Sequence, residues 1–255
     1  MPNEVEIRRC TTLAEYAECV ELERLVWGVA ITVPSGMFVV AQHTGGQVIG
    51  AFNAGKIVGF TLALIGRRGD EVFLHSHMTA VVDAYRDRGV GRRLKLFQRQ
   101  DALKRGIRLV EWTFDPLELK NAHFNLVRLG AVARRFIPDC YGTTDSPLHA
   151  GLPTDRLVAE WWLDSDRVKN ILADNPYPPK DTAARVSLPS NLAEIKSTDR
   201  DVATVIQARA REQFHKHFEQ GRVATGIEKH DALTDYILEP ATEIAGLKLP
   251  ESHAE

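Results

Sequence analysis

Between an alternating apolar run and a helical one, the chain reads Val81-Val82-Asp83-Ala84-Tyr85-Arg86-Asp87-Arg88-Gly89-Val90-Gly91-Arg92-Arg93-Leu94. Two glycines stand where a strand ends and a helix begins. Such a turn exposes main-chain N–H groups and the positive end of a helix dipole without side-chain bulk, and that combination binds phosphate oxygens. The local charge agrees, because Arg86, Arg88, Arg92, Arg93, Lys95, Arg99, Lys104 and Arg105 face only Asp87 and Asp101 in this stretch. A P-loop needs Gly-Lys-Ser/Thr after the turn, and here Gly91 is followed by Arg92 and Arg93. A dinucleotide fingerprint needs a third glycine where Leu94 stands and an acidic ribose partner on a parallel strand, for which Glu111 is a poor candidate. Both of those phosphate readings fit badly.

The second chemistry is proton transfer. Glu71 to Val82 alternates as a strand, which puts Phe73, His75, His77, Thr79 and Val81 on one expected face. An imidazole with an unperturbed pKa near ~6.5 is suited to take a proton at neutral pH. Glu111 and Asp115, on and just after the next strand, are rival acceptors; packing beneath the sheet is the plainer role for the histidines. His215, Lys216 and His217 look like a metal pair, but residues two apart on a helix face away from each other, so a solvated pair is expected. Arg209 and Arg211 could reach a substrate carboxylate, and ordinary surface charge is the simpler expectation. Trp161 and Trp162 end a strand with one ring per face, which is packing.

The elements that must hold these groups follow from periodicity. Val5 to Arg8 reads as a strand, and Thr12 with Glu15 is a capping box for a helix running toward Trp27. Phe38 to Gln42 reads as a strand edge. Gln47 to Phe52 and Lys56 to Ile65 form a hairpin through Asn53, Ala54 and Gly55. After Glu71 to Val82 comes a helix from Val90 to about Arg105, stopped by Gly106, then a strand from Arg108 to Phe114 and a helix from Leu117 to Leu129 closed by Gly130. Ala131 to Ile137 and Arg156 to Leu163 are strands joined by a loop from Pro138 to Asp155. Beyond a linker at about 174–180 are expected a strand at Arg185 to Leu188, one helix from about Leu192 to Gln220, strands near Arg222 and at Ala232 to Leu238, and a frayed tail from Glu239.

Composition sets the outer limits. The chain has 255 residues, 44% hydrophobic and 26% charged, which describes a globular protein with a core and excludes disorder over most of its length. At ~150 residues per domain this is roughly 1.7 domains. A net charge of -2 excludes a global basic field for nucleic acid, so an anion site must be local. The N-terminus, Met1-Pro2-Asn3-Glu4, lacks the basic and apolar regions of a signal peptide, and Gly59 to Gly66 is far short of the ~20 apolar residues that cross a bilayer. Cys10, Cys19 and Cys140 are too few and scattered for a disulfide framework or zinc ribbon, and free thiols in a reducing cytoplasm are expected.

The spacing Arg86-x-x-Gly89-x-Gly91, with its strand, helix and meander, resembles the pyrophosphate-binding motif of the GNAT superfamily of acyl-CoA-dependent N-acyltransferases. The resemblance covers roughly Val5 to Leu163. The stretches Tyr85 to Leu94 and Asn121-Ala122-His123-Phe124-Asn125-Leu126 also look like a bacterial subgroup carrying a C-terminal extension. It implies an α/β protein (α+β type): a mixed, mostly antiparallel sheet flanked by helices, residues 1–163 as the core and 164–255 as a small α/β appendage. That appendage would roof the acceptor groove or make a dimer contact.

The resemblance further implies that the turn Arg86, Asp87, Arg88, Gly89, Val90, Gly91 and Arg92 holds the coenzyme pyrophosphate, with pantetheine pairing beside Val81 on a strand that splays from the next. The Thr79 N–H would polarise the thioester carbonyl. Asn121 and Asn125, a helical turn apart, could contact the cofactor or cap the helix, and for Asn121 cofactor contact is the favoured reading. The family often supplies an acid from a tyrosine where this chain has Leu126; Tyr141 is a substitute, and a thiol pKa of only ~8.5 lets the thiolate leave without one. The expected activity is direct transfer of an acetyl or other short acyl group, succinyl included, from acetyl-CoA or another acyl-CoA to a primary amine of a small molecule. No metal, nucleic acid or membrane is expected to take part, and a homodimer is allowed. A non-catalytic acyl-CoA-binding scaffold is the alternative, because the usual tyrosine is missing.

Overall fold

The computed structural model describes residues 4–28, 32–142, 151–175, 177–244 and 246–247. It divides into two compact units, 1–112 and 113–255. This division follows compactness and falls inside a strand, whereas the 163/164 division follows sequence resemblance.

The first unit begins with β1 (Glu6–Arg9) and α1 (Leu13–Trp27). The capping box forms as the sequence predicts: Thr12 Oγ1 accepts from the Glu15 amide at 3.2 Å, and the Glu15 carboxylate accepts from the Thr12 amide at 3.1 Å. Next is α2 (Ser35–His43), where a strand edge was expected over Phe38 to Gln42. The apolar run there is too short for its period to separate strand from helix. Burial decides it: Phe38 and Ala41, three apart, are buried, while Met37 and Val40 are exposed.

The hairpin β2 (Gln47–Asn53) and β3 (Lys56–Arg68) turns through Ala54 and Gly55, both at positive φ. Then follow β4 (Glu71–Val81), α3 (Val90–Lys104) and β5 (Leu109–Phe114). The strand order is β1-β2-β3-β4-β5, antiparallel except for the parallel pair β4–β5. One face carries α1 and α2 over a core built on Phe38, Val48, Phe60, Leu62 and Met78. The other carries α3 over Ile49, Ala51, Val58 and Leu94. This is the expected mostly antiparallel sheet with helices on both faces.

In the second unit α4 (Leu119–His123) continues into a π-helical turn, Phe124–Arg128. It leads to β6 (Val132–Ile137), β7 (Arg156–Trp162), α5 (Asp166–Leu172) and β8 (Ala184–Pro189). The remaining elements are α6 (Leu192–Thr198), α7 (Arg200–Glu219), β9 (Arg222–Lys229) and β10 (Leu233–Pro240). The order is β7-β6-β9-β10-β8. The single helix expected from Leu192 to Gln220 is two, because Asp199 leaves the helical region (φ -143°) and caps α7 by accepting from the Val202 amide at 3.0 Å.

Residues on either side of 163 are tied together within this unit. The Tyr236 hydroxyl donates to the Pro116 carbonyl at 2.7 Å, Lys196 binds Glu118 at 2.6 Å, and Arg211 forks onto the buried Asp155 carboxylate at 2.8 and 2.9 Å. The fraying expected from Glu239 is not found there, because Glu239 is buried and a 3-10 turn covers Ala241–Glu243. The segment 143–150 of the expected loop, residues 1–3 of the N-terminus and 248–255 of the tail lie outside the described residues.

Candidate active site

The glycine turn opens α3 in the first unit. Gly89 is the N-cap, at φ +76°, and Asp87 also lies in the left-handed region at φ +57°. No side chain caps the helix and its first turn holds no acidic residue. The first bond that closes the helix runs from the Arg93 amide to the Gly89 carbonyl at 3.0 Å. The amides of Val90, Gly91 and Arg92 therefore have no acceptor among the described residues, and they point out of the positive end of the dipole.

A β-carbon built on Gly91 would meet nothing within 4 Å, and Gly91 has no positive φ. Neither packing nor backbone conformation within the chain calls for glycine there, and its bare main chain leaves room for close approach. The arginines divide. Arg86 Nε donates to the Val81 carbonyl at 3.2 Å and its guanidinium pairs with Asp83 at 2.9 Å, which closes the turn back onto β4. Arg88 is exposed beside the Tyr85 ring. Arg92 Nε is buried with no acceptor among the described residues.

β4 is bulged. Leu62 of β3 lies opposite Met78 and Ala63 opposite Ser76, so His77 is left over. The bulge overturns the expected shared face. His75 lies opposite Leu64, which packs on the α1/α2 core, and the His75 and His77 rings are 6.1 Å apart. Thr79 lies opposite Thr61 with their hydroxyls 2.8 Å apart, on the face where Lys95 of α3 reaches Ser76 at 2.8 Å, and Val81 packs in the α3 core. One extra residue in the strand turns every later side chain to the other face.

Among the described residues, the other edge of β4 pairs with β5 at Leu74–Val110 and His75–Glu111 alone. From Ser76 to Val81 that edge of β4 has no ladder, so the two strands part as the resemblance implies, and the parted stretch leads into the glycine turn.

Burial lowers the pKa of both histidines. His75 is half-buried: desolvation is the largest cause and the neighbouring His77 adds to it, while Glu111 pulls the other way. His77 is exposed by surface area, and partial desolvation by the sheet lowers it too. Both are therefore neutral at pH 7 and able to accept a proton. Glu111 is buried and held by a bidentate Arg68 fork at 3.0 and 2.9 Å, so its carboxylate is already neutralised.

Among the described residues of the first unit, two buried ionisable groups escaped the sequence reading. Lys95 is 3% exposed and burial pushes its pKa down to about 7. Glu23 of α1 accepts from the Val33 amide at 2.7 Å, and burial pushes it up to about 7. Glu23 shares a helix face with Cys19 and Val20, which was the available signal, whereas Lys95 has Arg92, Gln98 and Arg99 at helical spacing and offered none.

Tyr141, Asn121 and Asp115 belong to the second unit. Tyr141 is 51% exposed and its hydroxyl lies 2.7 Å from that of Thr113. Asn121 is exposed on α4, and Asn125 is buried in the π-helical turn with its amide nitrogen unbonded among the described residues. Leu126 is fully buried. Asp115 accepts from the Leu117 amide at 2.8 Å and binds Lys196 at 3.3 Å. Arg211, expected as surface charge, forms the structural pair with Asp155, while His215 packs 5.2 Å from the Phe136 ring. Among the described residues no group of three His, Cys, Asp or Glu side chains is placed to hold a metal ion, and no helix is long and apolar enough to cross a membrane.

The profile of the family described as Acetyltransferase (GNAT) family matches residues 8–130. Among solved structures the chain is similar to the ribosomal-protein-S18-alanine N-acetyltransferase from Escherichia coli, with a TM-score of 0.50 and 18% identity over 62% of this chain and 92% of that one. It is similar to NAA60 from Arabidopsis thaliana, solved in complex with acetyl-CoA, with a TM-score of 0.51 and 14% identity over 62% and 99%. The GNAT-family acetyltransferase from Streptococcus pneumoniae gives 0.51 and 18% over 62% and 98%. No curated protein matches the chain by sequence. At such identities the solved structures speak for the fold, and the family match speaks for the chemistry. Residues 8–130 of this chain match the GNAT acetyltransferase family, and that match supports an N-acetyltransferase that uses acetyl-CoA.

Proposed function

We propose that the chain transfers an acetyl group in one step from the coenzyme A thioester to a primary amine of a small molecule. The observation that carries this reading is the short β4–β5 ladder running into an uncapped glycine turn. In it the amides from Asp87 to Arg92 take the pyrophosphate, Arg86 and Arg88 flank it, and pantetheine pairs along β4 toward Val81 as an added strand would. The Thr79 N–H donates to the thioester oxygen as negative charge develops there. The amine nitrogen attacks the carbonyl carbon, the C–S bond breaks with its electrons on sulfur, and the proton lost by the amine goes to neutral His75 or His77. Glu111, held by Arg68, is the weaker acceptor. Asn121 as a cofactor contact and Tyr141 as a proton donor to the thiolate complete the reading.

A net charge of -2 offers no strong field for docking a charged macromolecule, which favours a small acceptor. Free Cys10, Cys19 and Cys140 suit work in a reducing cytoplasm. Residues 1–163 are the acyltransferase core of this reading and 164–255 its extension; dimerisation through the extension is tested by sedimentation.

The experiment is thiol release from acetyl-CoA against small primary amines and, separately, peptide N-termini, with Gly89→Glu as control. That substitution sets a carboxylate against the phosphates. Release with small amines that the control lacks supports the reading. Release with peptides alone overturns the acceptor class, and release with neither overturns the transfer.

A further inference from the structure

Lys95 sits on the face of α3 turned to the sheet, almost wholly buried. Its Nζ donates to Ser76 Oγ at 2.8 Å and to Gln98 Oε1 at 3.0 Å, and lies 4.0 Å from the centre of the Trp112 ring. An ammonium in such a place costs free energy that an apolar side chain of the same length would not, so its hydrogen bonds are where a reason must be sought. Ser76 is the last β4 residue in register with β3 before the bulge. From Ser76 a chain of hydroxyls continues: Thr61 Oγ1 is 3.4 Å from Ser76 Oγ and 2.8 Å from Thr79 Oγ1, and it donates to the Met78 carbonyl at 2.9 Å. Both sides of the bulge are thus tied to one buried amine.

The Met78 carbonyl and the Thr79 N–H belong to a single planar trans peptide, so they point to opposite edges of the strand. With the carbonyl held by Thr61 on the β3 side, the Thr79 N–H faces the edge that β5 leaves unpaired.

We propose that Lys95 is a positioning residue which, through Ser76 and Thr61, locks the Met78–Thr79 peptide so that the Thr79 N–H meets the thioester carbonyl. This rests on the reading of β4 as the strand that receives the thioester. Lys95 touches no reacting atom. It sets the direction of a donor whose value depends on being aimed before the charge develops.

The test uses the full chain with acetyl-CoA labelled at the carbonyl carbon, and reads the infrared stretch of the bound thioester. In the wild type the stretch moves to lower frequency than in free acetyl-CoA, because a hydrogen bond weakens the C=O bond. In Lys95→Met and in Ser76→Ala that shift is lost, while the acetyl-CoA Kd changes less than about threefold because the pyrophosphate contacts remain. Turnover falls by on the order of 10- to 100-fold, approaching the loss of one oxyanion donor. Ser76→Thr keeps the hydroxyl and retains the shift.

A role confined to stability would lower Tm in these variants and leave the stretch alone. The proposal is overturned if a folded variant, Lys95→Met or Ser76→Ala, binds acetyl-CoA with the wild-type stretch; should Lys95→Met fail to fold, Ser76→Ala decides. Wild-type binding with no shift at all refutes the Thr79 donor itself, and no wild-type binding refutes the proposed function, so the failures are distinct.

Discussion

Gly89 and Gly91 answer to different forces. At φ +76° Gly89 sits where a β-carbon costs roughly 1–2 kcal/mol, so the backbone alone demands glycine. Gly91 carries no such demand, and a β-carbon there would meet nothing within 4 Å. Gly91→Ala is therefore expected to leave Tm unchanged or slightly higher, alanine being better in a helix by up to about 1 kcal/mol. The same change should weaken acetyl-CoA binding by about tenfold, an effect of ~1.4 kcal/mol. Paired melting and calorimetry check it, and wild-type affinity would remove the reason given for this glycine.

The histidines make a second prediction. Burial holds both below their ordinary pKa of 6.5, so they are neutral and able to accept a proton above that value. The rate should be flat through pH 7 and fall on acidification with a midpoint below 6.5. Alanine at the working histidine should cost 10²- to 10⁴-fold in kcat. A loss under threefold at both positions would point to a water relay instead. The glycines and histidines were legible as residue types. Lys95 was not, since nothing in its neighbours along the chain tells a solvated lysine from a buried one.

β4 shows what an element adds. Alternation was legible from Glu71 to Val81, but the bulge at His77 was not, because a bulge arises from pairing with β3 and leaves no mark in the strand's own period. The same limit applied to α2, where an apolar run too short to show a period waited on which residues would meet the sheet. Capping was local and therefore legible: Thr12 and Glu15 form the expected box, and Thr12→Ala should cost ~1 kcal/mol in unfolding free energy.

Packing α3 on the sheet also has a pH signature. Lys95 titrates at about 7 in the fold and near 10.5 in the unfolded chain. Between those values the unfolded state binds the extra proton, so stability rises with pH; below about 7 both states are charged and the burial penalty is fully present. Lys95→Met should flatten that rise. The wild-type minus variant difference in unfolding free energy should grow by several kcal/mol from pH 6.5 to 10. Denaturant melts across this range check it, and a pH-independent difference would show that Lys95 is not buried as a cation.

At the scale of the whole chain, residues beyond 163 complete the second unit. β9 pairs with β6 at Ala133–Ala224, Tyr236 reaches Pro116, and Arg211 neutralises Asp155, whose side chain is wholly buried. A chain cut after Asp164 loses the β9 edge and leaves the Asp155 charge unpaired, which by itself costs about 3–5 kcal/mol. Such a truncation should be insoluble or lack a cooperative second-unit transition by calorimetry. A soluble 1–164 fragment with wild-type acetyl-CoA affinity would show that the appendage is dispensable. Arg211→Met in the full chain isolates the ion pair, and a destabilisation of similar size is expected.

By itself the order of residues determined the family resemblance, the glycine turn at Gly89 and Gly91, most of the elements and the caps that start and stop them. These depend on neighbours within a few positions, where backbone geometry and periodicity act directly. Tertiary structure alone decided which face His75 and Thr79 occupy, that Glu111 is taken up by Arg68, and that Arg211 is no surface charge. It also decided that Lys95 is buried behind the bulge. Each of these depends on a partner more than ten residues away along the chain, and desolvation and strand register exist only once such partners meet.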